Sequence, residues 1–92
     1  MSCPDEIAEV VLEMLQVGLL RIRSLGWDKN PIRCAVEADH LHNLPSLLKN
    51  YSPDLLKYYL EVERPCYIQA MPPDDERAAF SPLWERLAVF CE

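Results

Sequence analysis

The chain is predicted to be all-α: a small single-domain helical bundle of four main helices with one or two short extra helical segments. A small or polar residue followed by proline recurs at Cys3-Pro4, Asn30-Pro31, Ser52-Pro53 and Ser81-Pro82. Proline suits the first helical position, and Asn or Ser before it caps free amides, so each pair marks a helix start. Apolar residues after these marks recur at helical spacing, and strand alternation is nearly absent. Half of the 92 residues are apolar and the charges are spread along the chain, which is globular composition.

Taken in order, helix one is expected over 4–25, ended by Gly26, and helix two over 31–43 after the loop "GWDKNP". "LPSLLKNY" suggests a helical turn after Pro45. Helix three runs over 53–64 and stops at Pro65. Within 65–81, "CYIQAM" and "PPDDERAAF" both read as short helical pieces, the latter with acids in its first turn where the helix dipole favours them. Helix four occupies 82–91. A domain of this size buries roughly 60 to 65% of its unfolded surface, which is an adequate core.

Placing residues about 100° apart around each helix separates wet faces from dry ones. On helix one, Glu6, Glu9, Glu13, Gln16 and Arg23 share a side opposite Ile7, Val10, Val11, Met14 and Leu15. Gly18 lies near the centre of the apolar arc, where a missing side chain lets another helix approach. Arg21 also falls within that arc. On helix three, Asp54, Lys57, Glu61 and Arg64 are wet, Leu55, Leu56, Tyr58, Tyr59, Leu60 and Val62 dry, and Glu63 projects into the dry side. Helix two has a wide apolar arc and a narrow polar strip of Arg33, Glu37 and His40, which is expected to face water. Asp39, His42 and Asn43 interrupt the apolar arc, so they are expected to face the other helices.

The stretch "EADHLHNLPSLL" holds both histidines and is where chemistry would concentrate. Glu37-x-x-His40 and Asp39-x-x-His42 each set a carboxylate and an imidazole on one helical face, as di-metal carboxylate bundles do. Those bundles need a second such helix, so Glu37, His40, Asp39, His42 and Glu63 would make a metal site only with a partner copy. Catalysis by Cys34 or Cys66 with His42 and Asp39 is disfavoured, because Cys34 lies two turns from His42 and Gly18 and Gly26 are the chain's only glycines. The favoured expectation is a polar seam of Arg21, Asp39, His42, Asn43 and Glu63 that pairs buried groups across helices one, two and three. The same seam, if open, would be a ligand pocket.

Fifteen acids against nine bases give a formal charge of -6, with no cluster of Arg and Lys, which disfavours nucleic acid and anionic membrane surfaces. The four cysteines are about thirty residues apart, without a Cys-x-x-Cys pair, which points to free thiols and a cytoplasmic setting. The acidic start "MSCPDEIAE" lacks the basic region of a secretory signal. No cofactor is implied, and an enzyme is the less favoured class. The expected role is protein–protein interaction, neutralising or adapting a basic partner as immunity-type and antitoxin-type proteins do. Trp27 in its loop and Leu20 on helix one are the candidate anchors, and a homodimer is compatible with this role. The alternative is a metal- or small-ligand-binding helical protein built on Asp39, His42 and Glu63.

Overall fold

A computed structural model of the chain describes residues 3–70 and 75–91. Every regular element among them is helical: α1 Asp5–Leu25, α2 Pro31–Asn43, α3 Ser46–Lys49, α4 Pro53–Tyr58, a π turn Tyr59–Glu63, α5 Arg64–Ala70, α6 Asp75–Ala88 and a closing 3-10 turn Val89–Cys91. The fold is thus an all-α bundle. α1 is its spine, packing on α2 and α6 and touching α3.

Local chemistry explains most of the boundaries. Asp5 and Glu6 open α1 where the dipole favours negative charge. The helix ends at Gly26, whose φ of 77° is one that residues with a side chain rarely adopt. Ser52 caps α4, its Oγ accepting from the Leu55 amide at 3.0 Å. Asn30 departs from expectation: it makes no cap bond to α2, and its Nδ2 instead donates to the Leu25 carbonyl at 2.8 Å. It closes the end of α1 where an orphan carbonyl needs a donor.

Two prolines do not bound helices as expected. Pro65 was expected to end helix three, yet the helix continues to Ala70. The π turn lies directly upstream, and Arg64 donates its amide to the carbonyl of Tyr59, five residues back. A widened turn accommodates an interior proline, which has no amide to donate and whose ring crowds the carbonyl four residues earlier. Likewise Pro82 does not begin a helix; it sits inside α6, exposed, while Phe80, Leu83, Trp84 and Leu87 on the same helix are buried. The helical reading of "CYIQAM" holds as far as Ala70; Met71 and the "PPD" that follows lie outside the described residues.

One core runs through the bundle. Ile7, Val10, Val11 and Met14 of α1 meet Leu44 and Leu47, Leu56 and Tyr59, and Phe80, Trp84 and Leu87 of α6. Gly18 is buried against α2: a Cβ there would collide with the Leu41 side chain and lie 2.9 Å from Glu37 Oε1. This is the close helix approach expected from the sequence.

Candidate functional site

The face that α2 buries is not the one expected. Glu37 is 1% exposed and His40 fully buried, while Asp39 and His42 are exposed. The arc expected to face inward ran through Ile32, Cys34, Ala35, Val36, Ala38 and Leu41. Burial instead follows one edge of it, Cys34 and Leu41, together with Leu44, which surround the Glu37 direction, and Ile32 is left exposed. Leu44 lies one residue beyond the helix as drawn from sequence, so its weight was missed.

Around His40 stand four aromatic rings: Tyr67 at 4.4 Å, Phe80 at 5.2 Å, Tyr59 at 5.9 Å and Trp84 at 6.3 Å between centroids. Trp84 Nε1 donates to the Tyr59 hydroxyl at 3.1 Å, that hydroxyl is 2.5 Å from His40 Nε2, and His40 Nδ1 is 3.4 Å from Glu37 Oε1. Each group donates once if Tyr59 gives its proton to Nε2 and Nδ1–H gives to Glu37, a consistent chain of three bonds. Burial pushes the Tyr59 hydroxyl well above the usual tyrosine range, although the Trp84 hydrogen bond works against it. Glu37 Oε2 has no hydrogen-bond partner among the described residues. The arrangement orders a base between a hydroxyl and a carboxylate, but it is sealed from solvent. Its work is structural: it ties α2, the π turn and α6 together.

A second polar set lies on the outer side of Tyr67. The Tyr67 hydroxyl donates to Asp39 Oδ2 at 3.1 Å and accepts from Asn43 Nδ2 at 2.9 Å. These three line a groove of about 290 Å³ with Tyr58, Val62, Glu63 and Cys66. Asp39, Cys66 and Tyr67 also line an adjoining trough of about 570 Å³, whose other walls are Pro31, Ile32, Ala35, Val36 and Ala70. One continuous groove between α2 and α5 therefore has an apolar end and an acidic end. The π turn contributes to it: Tyr58 and Val62, expected in the core, are 52% and 46% exposed, the first at its upstream boundary and the second inside it.

Two titratable groups of the groove, Glu63 and Tyr67, feel their burial. Desolvation raises the Glu63 carboxyl above its usual range; His40 lowers it and Asp39 raises it further. Tyr67 is pushed up to about 12, first by desolvation, with the Asn43 hydrogen bond lowering it and Asp39 and Glu63 raising it.

Of the five residues expected to form one inward seam, the structure brings Asp39, Asn43 and Glu63 together and places them at an open groove. His42 is exposed and does not line it, and Arg21 is half-buried on α1. Tyr67 and Cys66 were missed as groove residues, and Glu37 and His40 as the buried pair. Among the described residues, no three His, Cys, Asp or Glu side chains converge as a metal-ligand set. Cys34 is buried with its Sγ 3.9 Å from the Ile22 carbonyl, and all four cysteines are free. Trp27 and Leu20 are exposed, at 52% and 63%. No helix among the described residues is long and apolar enough to cross a membrane. Comparison with known proteins finds no matching family model, no matching curated protein and no matching solved structure.

Proposed function

We propose that the chain works by binding another protein, and that the groove between α2 and α5 receives a basic, partly apolar segment of that partner. The observation that carries this is the groove's polarity: the apolar trough of Ile32, Ala35 and Val36 runs into Asp39 and Glu63 beside two tyrosines. A Lys or Arg seated at the acidic end would meet two carboxylates and the Tyr58 and Tyr67 rings, while apolar neighbours lie along α2. Exposed ion pairs contribute only about 0.2–1 kcal/mol each, so most of the affinity comes from the trough and the rings. The carboxylates supply register and partner choice, and the net charge of -6 speeds encounter with a basic surface. Neutralising or adapting a basic protein in the cytoplasm is the role these features suit, and the four free thiols agree with that compartment. A small amphiphilic amine would use the same two ends, which keeps ligand binding as the second function.

Calorimetric titration of a short amphipathic Leu/Lys peptide tests the proposal. Asp39→Asn/Glu63→Gln should bind it about three- to tenfold more weakly than Glu6→Gln/Glu85→Gln, a control that removes equal charge from exposed positions elsewhere. Equal weakening in the two variants would mean that only net charge matters, and would remove the groove from the account. Tighter binding of dodecylamine than of the peptide, with the same sensitivity to Asp39→Asn/Glu63→Gln, would favour the second function.

A further inference from the structure

The outer face of α1 carries apolar side chains that the bundle does not use. Leu12, Leu19 and Leu20 are 52%, 59% and 63% exposed. The helix already spends Ile7, Val10, Val11, Met14 and Gly18 on the core, on its opposite side. Along the outer face, Glu9, Leu12, Gln16, Leu19 and Arg23 are all exposed and follow one another at spacings of three, four, three and four. That alternation is the spacing of a two-helix coiled-coil seam, with Leu12 and Leu19 as its apolar members and polar residues at the positions between. Gln16, Leu19, Leu20, Ile22 and Arg23 line a shallow groove of about 480 Å³ along its C-terminal half.

We infer that this face pairs with the same face of a second copy of the chain, the two α1 helices running antiparallel. Charge decides both the occupant and the direction. The seam is acidic at its N-terminal end, with Glu9, and basic at its C-terminal end, with Arg23. A parallel pair would set Glu9 against Glu9 and Arg23 against Arg23. An antiparallel pair with Gln16 at the two-fold axis sets each Arg23 opposite Glu9 of the other copy, twice by symmetry, and each Leu12 opposite Leu20, closing the leucines between the helices. Glu13 is already held by Arg86 at 2.8 Å within one chain, and Glu9, as far before Gln16 as Arg23 lies after it, is the acid that the two-fold sets against Arg23. A basic helix from an unrelated partner would instead meet Arg23 at one end of the seam. The contact spans roughly 21 Å at 1.5 Å per residue, so the dimer is small and concentration-dependent.

Sedimentation equilibrium on the full chain over a concentration series to about 1 mM measures this directly. A monomer–dimer equilibrium is expected for the wild type. Leu19→Glu should be monomeric throughout, with unchanged helical circular dichroism because residue 19 is exposed. Arg23→Glu should weaken the dimer about three- to tenfold, and Glu9→Arg/Arg23→Glu should restore it. Asp39→Asn/Glu63→Gln, in the groove, should dimerise like the wild type, which separates this inference from the function proposed above. A wild type that stays monomeric, a Leu19→Glu variant that dimerises normally, or a double charge variant no better than Arg23→Glu would each overturn it.

Discussion

On its inner face α2 presents Glu37 and His40, three residues apart; on its outer face it presents Asp39 and His42 at the same spacing. The inner pair is 1% and 0% exposed, joined to Tyr59 and Trp84 in a hydrogen-bonded chain. The outer pair is exposed, and among the described residues Asp39 has a hydrogen-bond partner there, the Tyr67 hydroxyl. The two motifs differ in what other helices set against them. Four aromatic rings and Gly18 surround the inner pair. A carboxylate and an imidazole therefore do not announce their own fate; the elements packed over them assign it.

If that contrast is right, substitutions on the two faces should separate widely. His40→Ala removes a ring packed on four others and leaves Tyr59 and Glu37 without their shared partner, so unfolding free energy should fall by about 3–5 kcal/mol. Asp39→Ala, across the helix, should cost about 1 kcal/mol, one part-buried hydrogen bond. Urea denaturation of both variants reads the difference, and comparable losses would erase the distinction between faces.

Gly18→Ala probes the inner face from the other side. Alanine favours a helix by about 1 kcal/mol over glycine, but its Cβ would press on Leu41 and on Glu37 Oε1. Overpacking costs about 1–3 kcal/mol, so a net loss of about 1–2 kcal/mol is expected in the same denaturation experiment. A gain in stability would mean that α1 and α2 do not meet closely at this point.

The smallest effect belongs to the groove. Because desolvation raises the Glu63 carboxyl in the folded chain, ionising it subtracts stability as pH rises through its folded value. Glu63→Gln should therefore be more stable than the wild type at neutral pH. The gain should shrink as pH falls toward about 4, where the unfolded carboxyl is protonated as well. Thermal melting at a series of pH values checks the sign, and a loss at neutral pH would show that ionised Glu63 is held by a favourable partner.

Much of the fold was legible because local signals agreed with tertiary ones. Gly26 and the Ser52 cap set helix ends, and the apolar stripe of α1 faces the core as its spacing implied. Proline misled wherever packing overrode it: the π turn carries the chain past Pro65, and the buried aromatic side of α6 carries it past Pro82. The candidate site was legible in composition and not in orientation. The α2 wheel holds Ile32, Ala35, Val36 and Ala38 on one side and Leu41, Leu44 and Cys34 on the other, and spacing alone does not choose between them. The aromatic residues that settle the matter come from positions 59, 67, 80 and 84, and their convergence on His40 is a property of the assembled bundle.

With only two histidines in the chain, the assignment of the faces has a direct chemical test. Native protein treated with diethyl pyrocarbonate and mapped by mass spectrometry should be modified at His42 as readily as in denaturant. His40, fully buried behind its aromatic neighbours, should react only when the chain unfolds. Rapid modification of His40 in the native state with His42 protected would contradict the account.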